Sequence, residues 1–243
     1  MKDNEALTQS EVKSDVAVVY DYESMASFRI QRQSFLMDYK QEVYRLYRPF
    51  YKKNINMDVI PSDSDFDKYK VLLLPVMIVH KKEVQDKVRK FVSGGGTVVF
   101  TYRTAVKDYY NNLTLGQFNP TYYTDLVGGY VEEVESFQDD QVAFLIGNEE
   151  FEGINGTATV FRDMLKTTTA KTLFKYEDEF FEDLAAVTLN EYEGGKVYYI
   201  GSGADNTIMD AIANKIINES NLDAIESEEG VEVVRRSLNN EDY

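Results

Sequence analysis

The sequence predicts an α/β fold on a mostly parallel sheet, and three consecutive stretches carry that reading. Val71 to Leu74 is an all-apolar run of four residues stopped by Pro75, the pattern of a strand buried on both faces. Val84, Val88 and Phe91/Val92 then share one face of a helix, and Gly94, Gly95 and Gly96 follow where a helix C-terminus needs residues free to take positive φ. Thr97 to Thr101 is a second apolar run. Two strands joined by a helix lie parallel in one sheet with a right-handed crossover, because only that connection packs the helix back onto a twisted sheet.

A chain of 243 residues can bury one sizeable core and suits one elaborated domain better than two equal ones. Its 26 Lys+Arg against 42 Asp+Glu give a net charge of −16, which repels nucleic-acid phosphates and anionic lipid, so neither is an expected partner. With no cysteine there is no disulfide, thiolate metal site or cysteine nucleophile, and a single histidine, His80, leaves little from which to build a zinc site. No metal and no cofactor is expected. The opening residues lack the apolar core of a signal peptide, and no apolar run approaches the roughly 20 residues of a membrane span, which predicts a cytoplasmic location.

Taken in order, residues 1–14 are polar and aperiodic, a lead-in or linker. Val16 to Tyr20 is the first strand, and Asp21-Tyr22-Glu23-Ser24 places polar groups at its C-terminal end, the edge where open α/β sheets bind ligands. Phe35/Leu36, Tyr39, Val43, Leu46/Tyr47 and Phe50 mark an amphipathic helix with its stripe in the core, which Pro49 should kink or end. Met57 to Ile60 is the next strand, and Pro61-Ser-Asp-Ser-Asp turns back toward Val71. Arg103 to Asn112 is polar and follows a parallel strand's C-terminal end, which makes it the expected functional rim; Asn119 to Leu126 could add a helical turn or two.

Val131 to Glu135, Val142 to Ile146 and Thr157 to Val160 read as short strands, and the turn-like pairs Gly147-Asn148 and Asn155-Gly156 make them antiparallel additions. Leu173 to Tyr176, Ala185 to Leu189 and Val197 to Gly201 follow, the last two joined through Glu193-Gly194-Gly195. Asp205 or Asn206 caps a closing helix with Ile208/Met209, Ile212/Ala213 and Ile216/Ile217 inward. Asp223 to Glu229 is an acidic linker, and Gly230 to Arg236 has the look of a strand opening another module.

Candidate chemistry is sparse. His80 ends a buried strand, where a base could sit, but no Gly-x-Ser-x-Gly elbow accompanies it. Asp21 with Glu23, Glu132 with Glu133 and Asp139 with Asp140 are paired carboxylates that a chain with 42 acids yields by chance. Gly94-Gly95-Gly96 follows a helix and precedes a strand, the reverse of a phosphate-binding loop. The 18 tyrosines and 14 phenylalanines could include sugar-stacking or interface rings, although most must be core because the chain has no tryptophan.

With these residues in view, the chain resembles the middle, trimerisation domain of glycoside hydrolase family 42 β-galactosidases. The resemblance rests on Val-Tyr-Asp-Tyr-Glu at 19–23, the strand and helix before Gly-Gly-Gly-Thr at 94–97, Arg-Thr-Ala-Val-Lys-Asp at 103–108, Ala-Val-Thr-Leu-Asn-Glu-Tyr at 186–192 and Gly-Lys-Val-Tyr-Tyr-Ile-Gly at 195–201. It departs where Met25-Ala26 replace the family's tryptophan and where Asp183-Leu184-Ala185 replace a glycine and a proline. What the resemblance implies is a flavodoxin-like or class I glutamine amidotransferase-like open sheet over 15–220, with 221–243 as linker and the truncated start of a C-terminal β module. It further implies a non-catalytic domain that assembles a homotrimer, with a catalytic barrel as a further partner. The retaining β-galactosidase activity, with its two glutamates about 5 Å apart, belongs to that barrel in a parent enzyme. No position here inherits a catalytic role; the rim or interface candidates are Asp21, Glu23, Phe28, Arg103, Lys107, Asp108 and Asn112.

Two other functions fit the composition. One is a free-standing small-ligand or sugar-binding module of amidotransferase-like fold, holding its ligand at the Asp21, Arg103 and Asn112 rim. The other is a hydrolase or amidotransferase, which needs a nucleophile at the sharp turn after a central strand, where cysteine is excluded by composition.

Overall fold

Strands that are apolar at every position need a packed layer on each face, and the central strands of this protein have both. The computed structural model describes residues 5–228, 230–239 and 241–243. In chain order they form α1 (Glu5–Gln9), β1 (Val16–Val19), α2 (Tyr22–Ile30), α3 (Tyr39–Tyr51), β2 (Met57–Ile60), β3 (Val71–Leu74), α4 (Lys82–Ser93) and β4 (Thr97–Thr101). A long connection leads to α5 (Thr124–Val127), β5 (Gly129–Ser136), β6 (Ala143–Gly147), β7 (Asn155–Thr167), β8 (Lys171–Tyr176) and β9 (Ala185–Tyr192). The chain closes with β10 (Gly195–Ile200), β11 (Ser202–Ala204), α6 (Asn206–Glu219) and the short pair β12 (Ser237–Leu238) and β13 (Glu241–Asp242).

β1, β3 and β4 are wholly buried. They lie in the order β2-β1-β3-β4-β10 with every neighbour parallel, Val16 opposite both Met57 and Val71, and Thr97 opposite both Val71 and Lys196. The period of two along a strand splits their side chains between layers. Val16, Val18, Leu73 and Tyr198 pack with the apolar faces of α3 and α6, while Ala17, Val19, Leu72 and Tyr199 pack with those of α4 and α5. Beyond β10 the sheet turns antiparallel. Tyr192 pairs Gly195 across Glu193 and Gly194, both at positive φ (48° and 95°), the twist-matched geometry of a two-residue hairpin. β8, β6 and β7 continue the antiparallel part, β5 and β11 join β7, and β7 meets β9 again at Leu165 and Ala185, so β7, β6, β8 and β9 close a ring. The result is an α/β fold on one mixed sheet of 11 strands.

Several local expectations change, each for a visible reason. Phe35 is exposed instead of in the core, because Asp38 caps the helix only at Tyr39 by accepting from the Lys40 and Gln41 N–H groups. Pro49 does not end the helix at once; α3 runs on to Tyr51. α2 was not expected, and Asp21 nucleates it as N-cap. Asn155-Gly156 is no turn but the start of β7. Gly156 is there because a Cβ would stand 2.6 Å from the Ile208 side chain and 2.7 Å from the Asp205 carboxylate at the start of α6. Of the three glycines after α4 only Gly95 takes positive φ; Gly96 makes room for the Phe91 ring, 2.3 Å from where its Cβ would be. Residues 231–236 form no strand, and Glu11 bridges to Ser237, so the two terminal segments pack together beside β2 through Asn54 and Asn56; the expectation for residues 1–4 lies outside the described residues.

Candidate functional site

At the C-terminal edge of β1, β3 and β4 the chain builds a roof over the sheet. Its underside is a third apolar cluster containing Phe28, Met37, Val76, Ile78, Tyr102, Val106 and Phe161. The turn after β3 is strained: Val76 sits at φ 40°, an outlier for a β-branched residue, pinned by its N–H donating to Thr101 Oγ1 at 2.7 Å. Val79 bridges in parallel to Lys107, and Lys107 in turn to Leu113, so residues 106–114 form a small hairpin laid over the edge. Its tip is an Asx turn in which Asp108 accepts from the Tyr110 and Asn112 N–H groups, each at 2.9 Å. Those N–H donors hold the Asp108 carboxyl below the usual range.

The predicted rim residues divide between inside and outside. Asp21 is buried, accepting from Ser24 N–H and from Ser62 Oγ, and is spent as a cap. Phe28 is core. Glu23 is half-buried and pairs with Lys81 at 2.6 Å; burial pushes its carboxyl up, but the Lys81 ammonium prevails and the net shift is downward. Asp108 is half-buried and Asn112 exposed at the hairpin tip. Lys107 is a rim candidate in the sequence, yet it is only 2% exposed. Its Nζ donates to Asn111 Oδ1 (3.1 Å), Ser27 Oγ (3.2 Å) and Gln31 Oε1 (3.5 Å), all neutral oxygens. Burial, then the nearby Arg103, pushes this ammonium down. The hairpin is therefore ordered by its own buried residues, Ala105, Val106 and Lys107, and not by surface ion pairs.

Arg103, at φ 60°, donates its N–H to Asp163 Oδ2 (2.7 Å) and its guanidinium to Gln33 Oε1 (2.8 Å). Asp163, on β7, sequence reasoning missed altogether. It is fully buried, also accepts from Tyr199 OH at 2.7 Å, and leaves its Oδ1 without a partner. Burial pushes its carboxyl up, against the pull of Arg103. His80 packs edge-on against Tyr122 with neither ring nitrogen hydrogen-bonded, and burial pushes its imidazole down. Among the described residues no group of three His, Asp or Glu could hold a metal.

The outer surface of the roof is aromatic. Tyr109, Tyr110, Leu113, Leu115, Phe118 and Tyr122 are all exposed within one 14-residue stretch, and Tyr22 joins them from α2. The only sequence signal was the Tyr109-Tyr110 pair in an otherwise polar segment after a strand end. The opposite, N-terminal edge carries a cleft of about 570 Å³ beside Gly94–Gly96, but its lysines are already paired: Lys90 with Asp67, Lys196 with Glu219, and Lys70 with Asp15. It offers no free cation to an anion.

Residues 14–223 match a family model described as the β-galactosidase trimerisation domain. The chain belongs to that family. This trimerisation domain is 26% identical to β-galactosidase BgaP of Planococcus sp. over 243 residues, 98% of this chain and 36% of that protein. It is 29% identical to β-galactosidase BgaA of Clostridium cellulovorans over 226 residues, 91% of this chain and 33% of that one. The crystal structure of β-galactosidase from Bacillus circulans sp. alkalophilus superposes with a TM-score of 0.91 at 26% identity, over 96% of this chain and 35% of that chain. The polyextremophilic β-galactosidase of Halorubrum lacusprofundi gives 0.85 at 26% identity over 93% and 33%. The trimerisation domain thus spans about a third of the length of the relatives it matches, and its described residues contain no eightfold (β/α) barrel.

Proposed function

We propose that this chain assembles β-galactosidase subunits into a cytoplasmic homotrimer and turns over no substrate itself. In this reading a separate barrel carries the hydrolysis of terminal β-galactosides. The observation that carries it is the strained turn after β3. A nucleophile of an open α/β enzyme would stand there, and the position holds Val76, buried and apolar. The strand order β2-β1-β3-β4-β10 supports a flavodoxin-like, amidotransferase-like ancestry for the parallel half. No helix among the described residues is long and apolar enough to cross a membrane.

Sedimentation velocity over a concentration series near 0.15 M salt, where the Debye length is about 8 Å, tests the assembly. The expected result is a monomer–trimer equilibrium with the midpoint in the micromolar range, and no release of chromophore from a chromogenic β-galactoside by the same sample. A monomer at every concentration, or a dimer, overturns the reading, as does turnover that copurifies with the chain.

A further inference from the structure

A closed trimer with threefold symmetry cannot use one patch twice; each interface joins two different surfaces, front to back around the ring. The trimer proposed above, on which this inference rests, therefore needs two complementary surfaces on every copy. Two exposed apolar faces lie among the described residues, and they differ in charge.

The first is the aromatic roof. Tyr110 is 80% exposed and Leu115 83%. The hairpin tip is tied to α2 through Ser27 Oγ donating to Asn111 Oδ1 at 2.6 Å, so Tyr22 and Ile30 on α2 extend the same surface. Arg29 and Arg32 are exposed beside Ile30 and have no carboxylate partner among the described residues. Residues 20–37 and 101–123 together carry four basic and three acidic side chains, in a chain of net charge −16. This surface is close to neutral, so a second acidic copy meets little net repulsion on it.

The second face lies at the other end of the sheet. Phe144 and Ile146 point outward from β6, 55% and 41% exposed, and Phe180, in the segment that follows the neighbouring strand β8, is 93% exposed. The Glu177 N–H donates to the Phe144 carbonyl, which holds the acidic segment 177–183 along this strand, and a cleft of about 390 Å³ runs between them, lined by Ile146, Glu177, Glu179 and Glu182. Exposed rings, acid-flanked, are what an apolar roof with two unpaired arginines complements.

Chain connectivity fits the same division. Residues 10–15 and 222–237 both pack at the N-terminal edge of the parallel strands, through Asn54 and Asn56. The relatives extend to about three times this length, and a chain continuing from either end leaves from that edge, a strand's length away from the roof. Neither end of the described chain thus runs over the roof. Aromatic side chains bury about 150–250 Å² each, so half a dozen partly exposed ones approach the roughly 800 Å² per partner of a standard interface.

We infer that copies of this chain meet head to tail, the Tyr110–Leu115 roof of one against the Phe144–Phe180 face of the next. Two variants test it, Tyr110→Asp with Leu115→Asp on the roof and Phe144→Asp with Phe180→Asp on the other face; all four side chains are exposed, and a thermal melt checks that each variant is folded. Each alone is expected to sediment as a monomer at concentrations where the unmodified chain is a trimer. Mixed one to one, they retain one intact roof and one intact opposite face, and are expected to form a capped dimer and no trimer. If the unmodified chain trimerises and either variant still does, the surface assignment fails while the trimer stands. If both variants are monomeric and their mixture forms no dimer, the two faces do not meet each other and the head-to-tail pairing fails. An unmodified chain that never trimerises removes both the trimer and the pairing.

Discussion

At the N-terminal edge of the parallel strands Lys70, Lys90 and Lys196 are matched by Asp15, Asp67 and Glu219, whereas at the C-terminal edge Lys107 is buried among neutral oxygens and rings face outward. Glu219 shows how thoroughly the first edge is neutralised. Burial pushes its carboxyl up, yet hydrogen bonds from Lys215, Tyr198 and Lys196 overcome that and hold it at about 2. The difference is one of closure. An edge whose charges and backbone groups are satisfied within the chain has nothing left to offer, while an edge roofed by apolar residues on both sides still has a surface to cover. Substitutions at the closed edge should therefore act on stability alone.

The largest such effect is expected at Gly195. A Cβ there would lie 2.1 Å from the Val92 carbonyl oxygen and 2.7 Å from that of Gly96, backbone atoms that cannot swing aside. Gly195→Ala should cost about 3 kcal/mol, the upper range for overpacking, with the association constant per folded molecule unchanged. Gly194→Ala, one residue earlier, meets nothing within 4 Å and has only its φ of 95° against it, so it should cost about 1 kcal/mol. Urea unfolding of the two variants beside the unmodified chain separates them; equal losses would mean that the α4–β10 contact yields.

How much of this was legible in advance follows from the range of the contacts involved. The strands Val71–Leu74 and Thr97–Thr101, the stripe of α4 and the Asp205 cap of α6 are local patterns of neighbours along the chain, and they read correctly. β7 was under-read as four residues of its thirteen because Asn155-Gly156 carries turn chemistry, and what makes Gly156 necessary is Asp205, far along the sequence. Lys107 could not be read at all. A lysine next to Asp108 in a mostly polar stretch reads as surface, and only its contact with Ser27, eighty residues away, puts it inside. Asp163 was equally silent, since a single acid in a strand has no spacing to betray that it meets Arg103 and Tyr199.

Lys107 gives the second prediction, of intermediate size. Lys107→Met keeps the apolar stem and loses one donor to three oxygens that can also find one another, as Ser27 and Asn111 already do. Lys107→Glu instead sets a carboxylate against the oxygens of Ser27, Gln31 and Asn111. The glutamate variant should be less stable than the methionine variant by about 2 kcal/mol, in monomeric samples as much as in trimeric ones. A stability equal to that of the methionine variant, with loss confined to assembly, would return Lys107 to the surface.

The smallest expected effect sharpens the comparison from within the C-terminal edge, because it depends on pH in a way that no closed-edge pair does. Asp163 is a carboxyl whose burial raises it above its ordinary range, so the folded state holds the proton more tightly than the unfolded one. The sign follows: the folded form binds more protons, hence this group opposes folding progressively as pH rises from the ordinary carboxyl value near 3.9 toward the higher folded value, and by a constant amount above it. Glu219, lowered to about 2, does the reverse, adding stability above the ordinary value and losing it as pH falls toward 2. Asp163→Asn keeps a carbonyl oxygen to accept from the Arg103 N–H and the Tyr199 hydroxyl and removes the ionisable oxygen that has no partner. The stability of the variant relative to the unmodified chain should rise between pH 3.5 and 7, on the scale of about 1.4 kcal/mol per tenfold difference in proton affinity. Every other carboxyl is common to the two proteins and cancels. Urea midpoints measured across that range decide it; a difference that stays flat would mean that Arg103 neutralises Asp163 in full and that the buried carboxylate is ionised at no cost.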